Sequence, residues 1–324
     1  MVVATTAGSV LDAALERAVL PGYSRLGFAL RRRSWRTDDP AADALVGTTV
    51  LVTGANSGIG KATVSALAQL GATVVMTVRD RARGESARHD ILADQPNASI
   101  LVERCDVADL GDVHGFVTRV AQRIPRIDAV IHNAGVMPPA RTQTSDGHEL
   151  SLATHVLGPL LMTELALPLL AASPSPRIVL MSSGGMYTQA LPWDDPEYRR
   201  GTYRGATAYA RSKRIQVALL PILARRWGAH GSVVAAMHPG WADTPGVAQS
   251  LPRFRAVARP LLRSPQQAAD TAVWLTATSP APTSGLFWHD RRSRATHYTR
   301  ATQFTEAQRV AVWRYCASAV GLEP

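Results

Sequence analysis

Residues 49–61 read Thr-Val-Leu-Val-Thr-Gly-Ala-Asn-Ser-Gly-Ile-Gly-Lys, an apolar run that ends in three closely spaced glycines. The run predicts a buried strand, and the apolar spacing of residues 61–70 predicts a helix directly after it. Glycines there allow a tight turn and a close approach of the backbone to a pyrophosphate. The free N–H groups at the start of the helix then bind its phosphates. We therefore expect a dinucleotide site formed by Thr53, Gly54, Asn56, Ser57, Gly58, Ile59 and Gly60.

Six short apolar runs alternate with longer amphipathic stretches along the middle of the chain. The runs lie at residues 49–54, 73–78, 98–104, 127–135, 177–183 and 232–240. Several are apolar on both faces, as parallel strands buried between helices are. This alternation predicts an α/β fold, a doubly wound parallel sheet of the Rossmann type in a single domain. We assign that domain to residues 47–290, with an N-terminal helical arm at 1–46 and an extension at 291–324.

Composition excludes several other classes of protein. The chain has 324 residues, 46% of them hydrophobic and 19% charged, which is enough to bury a large core. Cys105 and Cys316 are its two cysteines, and their spacing predicts neither a disulfide framework nor a metal site. No apolar run approaches the roughly 18 residues that span a bilayer. We expect a soluble, cytoplasmic α/β protein.

The charge is strongly basic and unevenly distributed. The net charge is +10, and Lys61 and Lys213 are the only lysines among the 35 basic residues. Residues 198–269 contain twelve basic residues and one acid, Asp243. A field of this sign favours a phosphorylated cofactor, an anionic substrate or an acidic lipid surface. No recognition helix, zinc finger or base-stacking motif occurs, so we expect no nucleic-acid partner.

The arm at residues 1–46 combines helical apolar spacing with a basic end. Its apolar positions Leu26, Phe28 and Leu30 are followed by Arg31, Arg32, Arg33 and Arg36. Such a segment lies either on the surface of its own domain or, as a peripheral contact, in a membrane interface. Both alternatives remain open, with packing on the domain as the expectation.

The end of the second run bears on the choice of cofactor. It reads Thr77-Val78-Arg79-Asp80. A carboxylate near the end of this strand suits the ribose 2′-hydroxyl of NAD, whereas an arginine accommodates the 2′-phosphate of NADP. Arg79 can fork onto phosphate oxygens and stack on adenine, while Asp80 could instead serve NAD. The pattern favours NADP(H), with NAD as the alternative.

Tyr209 and Lys213 stand four residues apart in the apolar-periodic stretch 206–227. A helix would place them on one face. Moving the pKa of a tyrosine from about 10 toward 7 requires roughly 4 kcal/mol, and a nearby ammonium or pyridinium favours phenolate. A lysine in a chain whose cations are otherwise nearly all arginine indicates a need for a compact ammonium.

Together these motifs resemble the short-chain dehydrogenase/reductase family over residues 47–286. The matching positions occur in the family's order: the glycine loop, Asn133-Ala134-Gly135, Ser183, Tyr209 with Lys213, and Pro239-Gly240 with Thr244. The resemblance implies an oxidoreductase that interconverts a carbonyl compound and an alcohol by hydride transfer with a nicotinamide cofactor.

The resemblance also implies a role for each matched residue. Tyr209 is the general acid in reduction or the base in oxidation, Lys213 lowers its pKa and holds the nicotinamide ribose, and Ser183 binds the substrate oxygen. The implied cofactor contacts are Asp106 and Val107 near the adenine, Asn133, Ala134 and Gly135 beside the adenosine ribose, and Pro239, Gly240 and Thr244 at the nicotinamide.

One position departs from the family pattern. His155 stands where the family usually has the asparagine that completes a four-residue proton relay. A histidine can donate and accept through its two ring nitrogens, so we expect it to order a relay water near Lys213. The alternative is that His155 only packs and that the relay is impaired or rerouted.

The insertion at 184–208 and the stretch at 245–263 are expected to form the wall and lid of a substrate pocket. Met186, Tyr187, Trp193 and Trp241 favour a lipophilic ketone or aldehyde and its alcohol. A sugar-nucleotide epimerase on the same scaffold is disfavoured by the glycine spacing. A cofactor-binding regulatory or scaffold protein with little turnover is the main alternative. By analogy with the family, helices at 149–171 and 206–227 would form a homo-oligomer surface.

Overall fold

The computed structural model describes residues 12, 15, 16, 19–250 and 252–323. Its eight-stranded sheet has the order β3-β2-β1-β4-β5-β6-β7-β8. The strands are β1 Thr49–Thr53, β2 Thr73–Val78, β3 Ile100–Arg104, β4 Ala129–His132, β5 Arg177–Met181, β6 Val233–Met237, β7 Leu286–His289 and β8 Arg292–Ser293. Neighbouring strands are parallel except for the pair β7 and β8. The predicted doubly wound Rossmann fold is confirmed.

Helices cover both faces of this sheet. They are α1 Val19–Tyr23, α2 Arg25–Arg32, α3 Gly58–Gln69, α4 Arg81–Asp94, α5 Leu110–Ala121, α6 Leu150–Ala171, α7 Gly205–Gly228, α8 Pro245–Ser250, α9 Pro252–Ala258, α10 Pro265–Ala277 and α11 Glu306–Ala319. The strand order reverses between β1 and β4, and ligands of such sheets bind at the carboxyl ends of the strands near that point.

Two hydrophobic clusters lie on opposite faces of the sheet. Leu51 and Val75 face one cluster, which contains the fully buried Phe116 and Trp227. Their chain neighbours Val50, Val52, Val74 and Met76 face the other. Successive residues of a strand point to opposite faces, which explains why the runs are apolar throughout. Burying a side chain as large as Phe116 contributes about 1.5–3 kcal/mol.

The sequence did not predict the last two strands. β7 carries Phe287 and Trp288 in its buried centre, but charged residues follow it at once. Helix α11 also joins the core through Val312, Trp313 and Cys316. The extension therefore contributes to the main core.

One helix among the described residues is long and apolar enough to cross a membrane. Helix α6 has 22 residues and contains an 18-residue window with a mean hydropathy of 1.4, so the expectation that no stretch reaches this length was wrong. However, 78% of its most apolar window is buried inside the fold. Such burial is typical of the core helix of a globular domain.

The arm packs against the domain along α2. Ser24 caps this helix by accepting a hydrogen bond from the N–H of Leu26 at 3.2 Å. Phe28 and Arg31 are buried, whereas Arg25 and Leu26 on the other side are exposed. Arg31 thus points into the protein, and the basic end of the arm is not one continuous exposed surface. Residues 1–11 of the predicted arm lie outside the described residues.

Candidate active site

The glycine loop packs tightly on the segment that follows β4. A Cβ on Gly54, whose φ is +63°, would lie 2.8 Å from Cα of Ala134, and one on Gly60 would lie 2.2 Å from the carbonyl oxygen of Gly54. Asn133 donates from Nδ2 to the carbonyl oxygens of Thr53 at 2.9 Å and Gly54 at 3.1 Å. The side chain of Asn133 therefore braces the loop from behind.

The start of α3 is suited to hold phosphate. Ser57 occupies the N-cap position but makes no capping hydrogen bond through its side chain. The first N–H groups of a helix lack partners within the helix and, with its dipole, favour an anion. Lys61, one turn on, is bonded to Asp90 on α4 at 2.5 Å. This loop and helix start fit the pyrophosphate of a dinucleotide.

Arg79 and Asp80 take different positions at the end of β2. Val78 is buried, and Arg79 after it is exposed. Asp80 caps α4, accepting a hydrogen bond from the N–H of Arg83 at 3.1 Å. Asp80, the possible ribose ligand for NAD, therefore forms a hydrogen bond at the start of α4.

The two residues expected at the adenine have local structural contacts. Asp106 accepts from the N–H of Ala108 at 3.0 Å, and its own N–H donates to Asp112 at 2.8 Å. Val107 is buried, and a Cβ on Gly158 would lie 1.9 Å from its carbonyl oxygen. These contacts hold the end of β3 against α6 and leave acceptor capacity on the Asp106 carboxylate.

Tyr209, Lys213 and Ser183 come together at the carboxyl end of β5. Tyr209 and Lys213 lie one turn apart on α7, with Nζ 5.6 Å from the centre of the phenol ring. Lys213 is buried and donates to the carbonyl oxygen of Met181 at 2.6 Å. Ser183 lies two residues beyond the end of β5 and accepts a hydrogen bond from the N–H of Gly185 at 3.1 Å.

Burial governs the protonation of this group. Burial raises the pKa of Tyr209, and a hydrogen bond from Ser183 opposes that rise. Burial also lowers the pKa of Lys213 to about 7. Desolvation disfavours the charged form of each group. Burial thus acts on the pKa of Tyr209 in the direction opposite to the lowering by Lys213 that the sequence predicted, and it favours the protonated phenol that a general acid needs.

Both ring nitrogens of His155 are occupied. The N–H of Val136 donates to Nε2 at 3.0 Å, so Nδ1 carries the proton and donates to Oγ of Ser212 at 2.7 Å. Ser212 in turn donates to the carbonyl oxygen of Tyr209 at 2.8 Å. Burial, followed by the charge of Lys213, lowers the pKa of His155 well below its usual value. This geometry leaves neither ring nitrogen free for the expected relay water and favours the alternative, in which His155 packs behind Tyr209.

His155 also lies in a distorted part of α6. Residues Ala153–Leu157 form a π-helical turn, and such turns are frequent at functional sites. The carbonyl oxygen of His155 accepts from Nε2 of Gln216 on α7 at 2.6 Å. Two hydrogen bonds of His155, one with Ser212 and one with Gln216, therefore join α6 to α7.

Residues 239–244, which the resemblance assigns to the nicotinamide and which are called the nicotinamide segment below, approach the glycine loop. Gly240 has a φ of +75°, and a Cβ on Gly58 would lie 3.3 Å from the side chain of Thr244. Pro239 and Gly240 directly follow His238 at the end of β6. The structure therefore places this segment beside the phosphate loop, as the resemblance implies.

The predicted substrate residues separate in the structure. Met186 is fully buried in the core, because the short helix Gly184–Thr188 turns it inward. Tyr187 stacks on Tyr298 at 4.1 Å and donates to the carbonyl oxygen of Ala295 at 2.6 Å. The structure thus buries Met186 and engages the ring and hydroxyl of Tyr187 with the C-terminal extension, and the pocket role expected of them stays a prediction. Trp193 is 44% exposed, and Trp241 is partly exposed beside the nicotinamide segment.

Tyr23 is the residue that sequence reasoning missed. Its ring lies 4.5 Å from that of His238 and 6.1 Å from that of Trp241. A Cβ on Gly184, next to Ser183, would lie 2.7 Å from Cε2 of Tyr23. An aromatic after the Pro21-Gly22 break is the only local signal in the sequence.

The chain matches the family model of the short chain dehydrogenases over residues 48–253. It is 39% identical to dehydrogenase/reductase SDR family member 12 of Bos taurus over 280 residues, 85% of this chain and 86% of that protein. It is 32% identical to human retinol dehydrogenase 13, with 88% of each chain covered.

Solved structures agree with the fold. An uncharacterized protein from Mycobacterium paratuberculosis aligns with a TM-score of 0.67 at 26% identity, covering 86% of this chain and 95% of that one. A short chain dehydrogenase from Escherichia coli CFT073, complexed with NADPH, aligns with a TM-score of 0.63 at 24% identity, covering 78% of this chain and 100% of that one. With its glycine loop, its tyrosine–lysine pair and these relatives, the chain belongs to the short-chain dehydrogenase/reductase family of oxidoreductases and is similar to its member 12.

Proposed function

We propose that the protein is an NADP(H)-dependent oxidoreductase that interconverts a lipophilic ketone or aldehyde and the corresponding alcohol. The observation that carries the proposal is the convergence of Tyr209, Lys213 and Ser183 at the carboxyl end of β5, on the same edge of the sheet as the glycine loop. A proton donor, a cation and a hydroxyl next to a dinucleotide cradle are the parts that carbonyl reduction requires.

The residues at the cofactor site fit NADPH. The uncapped start of α3 would receive the pyrophosphate, and Asn133 holds the loop that surrounds it. Arg79, exposed at the end of β2, would take the 2′-phosphate, while the carboxylate of Asp80 caps α4. Asp106 would meet the adenine, and Pro239 and Thr244 would flank the nicotinamide. When bound, the dinucleotide supplies the hydride.

The side chains then handle the substrate oxygen and one proton. Ser183 holds the carbonyl oxygen by hydrogen bonding. Tyr209, kept protonated by its burial, gives its proton to that oxygen as the carbonyl carbon is reduced, and the C=O π bond becomes the O–H of the alcohol. In its protonated form Lys213 stabilises the resulting phenolate, because an opposite charge nearby favours the ionised form, and the phenolate in turn favours the ammonium. Oxidation of the alcohol reverses these transfers.

His155 acts as a positioning residue in this proposal. It links Val136, after the Asn133-Ala134-Gly135 segment, to the backbone of Tyr209 through Ser212. The loop after β4, which would contact the cofactor, and helix α7, which carries Tyr209, are thereby held in a fixed relative position. No proton needs to pass through the imidazole.

The substrate class rests on the exposed apolar side chains of the two stretches that are expected to form the wall and lid of the pocket, residues 184–208 and 245–263. Trp193 and Leu261 are 44% and 39% exposed, and Trp241 is partly exposed. Such side chains favour an apolar substrate. The name retinol dehydrogenase, carried by relatives, also suggests a lipophilic alcohol.

Location and assembly complete the proposal. We place the protein in the cytoplasm, as a homo-oligomer through α6 and α7, with peripheral membrane contact as an added property of the arm. The buried free thiols Cys105 and Cys316 suit a reducing compartment. Cosedimentation with acidic vesicles tests the membrane contact, and light scattering tests the oligomer.

The experiment for the proposed function combines binding and turnover. Purified protein is titrated with NADPH and NADH and then assayed with ketones, aldehydes and quinones of increasing apolar size at the nicotinamide absorbance. We expect tighter binding of NADPH and turnover that improves with apolar size. Binding without turnover of any carbonyl would favour a regulatory or scaffold protein instead.

A further inference from the structure

The N-terminal arm is bonded to the segment expected to flank the nicotinamide. The N–H of Trp241 donates to the carbonyl oxygen of Tyr23 at 2.9 Å. Arg263, which is 1% exposed, lies between the two segments. It donates to backbone carbonyl oxygens on both sides, those of Gly22 at 3.1 Å, Ser24 at 3.2 Å and Pro239 at 3.4 Å. Residues 22–24 and 239–241 are therefore held together by one buried guanidinium.

The ring of Tyr23 fills the space between this segment and the one that carries Ser183. It is 3% exposed and meets the ring of His238 edge-on at 4.5 Å. On its other side it is so close to Gly184 that a Cβ there would be 2.7 Å away. Tyr23 thus packs between Gly184, the neighbour of Ser183, and His238 at the end of β6, and spaces these two segments.

A buried charge network fastens the arm in this position. Arg31 is 5% exposed and pairs with Asp12 at 2.7 Å, Glu16 at 3.0 Å and Asp290 at 2.7 Å. Asp290 also binds Arg263 through both carboxylate oxygens, at 2.6 and 2.9 Å. Removing one member of such a buried group leaves an uncompensated charge. The arm, β7 and the nicotinamide segment therefore share one set of ion pairs.

The same cluster is poorly suited to a metal ion. Ligand atoms of Glu16, His238 and His289 lie within 4.8 Å of one another. However, Nη1 of Arg31 lies 3.5 Å from Nδ1 of His289, and Arg294 lies 3.3 Å from Glu16. A divalent cation would meet these positive charges at close range. The network is better explained as a fastening of the arm.

We propose that the N-terminal arm is a positioning element of the active site, in which Tyr23 and Arg31 hold residues 239–244 at the distance from Ser183 that the nicotinamide ring requires. This inference rests on the proposed function and extends the site to a part of the chain outside the motifs. Within the described part of the chain, neither residue forms a hydrogen bond, ion pair or ring contact with the glycine loop or Arg79. Loss of the arm contacts should therefore weaken binding of the nicotinamide half of the cofactor selectively.

The test compares two ligands on the full-length protein. NADPH contains the nicotinamide ring, and 2′-phospho-ADP-ribose is the same molecule without it. Calorimetry gives the Kd of each ligand for wild type, Arg31→Met, Tyr23→Ala, Tyr23→Phe and Arg33→Met. Arg33→Met is the matched control, because Arg33 is exposed on the same arm. Activity with the best carbonyl substrate gives kcat and KM separately.

We expect Arg31→Met and Tyr23→Ala to raise the Kd of NADPH tenfold or more and to lower kcat by up to about 100-fold, as misplaced reacting groups do. The Kd of 2′-phospho-ADP-ribose should change by less than about threefold, since its contacts lie at the phosphate loop. Tyr23→Phe keeps the ring and should restore NADPH binding, and Arg33→Met should match wild type.

Two outcomes would count against the inference. Equal weakening of both ligands in a folded variant would assign the arm to general stability. Unchanged NADPH binding in both Arg31→Met and Tyr23→Ala would overturn it. Should Arg31→Met not fold, Tyr23→Ala, which removes no charge, decides alone. Wild type that binds neither ligand would instead refute the proposed function.

Discussion

His155 accepts a hydrogen bond at Nε2 from the backbone N–H of Val136, 3.0 Å away. A backbone N–H can only donate, so this bond determines the tautomer and sends the Nδ1 proton to Ser212. The ring spans from the loop after β4 to the catalytic helix. His155, which departs from the family pattern, therefore has a structural role that requires both ring nitrogens.

His155→Asn should destabilise the protein. An amide is too short to reach Val136 and Ser212 together, and a buried N–H left without a partner costs about 1–3 kcal/mol. Urea unfolding measures this loss, with His114→Asn, at an exposed position on α5, as the control. Equal stability of both variants would contradict the bracing role.

The pH profile of the same variant supplies an independent check. His155 remains neutral near physiological pH because burial lowers its pKa well below the usual value. The apparent pKa values in the profile of kcat/KM should therefore be the same in His155→Asn and wild type. The loss of an inflection near neutrality would restore the relay hypothesis.

Lys213 should make stability depend on pH. Its pKa is about 7 in the folded protein against 10.5 for an unperturbed lysine. Between these values the unfolded chain binds more protons, so stability rises with pH across this window. Replacing the buried amine with an apolar side chain removes this dependence.

Lys213→Met should accordingly be more stable than wild type, by a few kcal/mol below pH 7, and the gain should shrink as the pH rises toward 10.5. Thermal unfolding over a pH series measures the difference. Lys61→Met, at the chain's other lysine, is the control. A gain that did not change with pH would mean that Lys213 is charged in the folded state.

Arg79 should discriminate between the two dinucleotides. A charge-assisted hydrogen bond to a phosphate contributes about 1.5–3 kcal/mol, so Arg79→Leu should weaken NADPH binding by about 10- to 100-fold. NADH binding should be unchanged, because its ribose carries no phosphate. Arg81→Leu, at an exposed arginine two residues on, controls for lost surface charge. Equal effects on both dinucleotides would place the 2′-phosphate elsewhere.

Local patterns explain what could be predicted from the sequence. The six strands alternate with helices at regular spacing, and the glycine loop needs residues within one short segment, so both are visible in a single chain. The tyrosine–lysine pair is likewise a spacing on one helix. β7 was missed because its four residues run directly into charged positions.

Long-range contacts explain the rest. Arg31 belongs to the basic end of the predicted arm, yet its partner Asp290 lies 259 positions along the chain, and no local signal connects them. Met186 and Tyr187 have the composition of pocket residues, but a short helix turns one into the core and Tyr298 covers the other. The hydrogen bond from the N–H of Val136 to His155 could not be predicted either, because it joins two segments that only the folded backbone brings together.

The acid–base role of Tyr209 should appear as a loss of turnover with binding preserved. Tyr209→Phe removes only the proton donor, and general acid–base catalysis is worth about 10²- to 10⁴-fold. We expect kcat to fall by that factor, with the Kd of NADPH within about threefold of wild type, since the ring remains in place.

The most direct measurement is a structure of the protein with NADP⁺ and an alcohol substrate bound. The account predicts the nicotinamide C4 and the substrate oxygen on the same side of the site, with that oxygen within hydrogen-bonding distance of both Tyr209 and Ser183. A dinucleotide bound away from the glycine loop, or a phenol of Tyr209 directed away from the substrate oxygen, would contradict it.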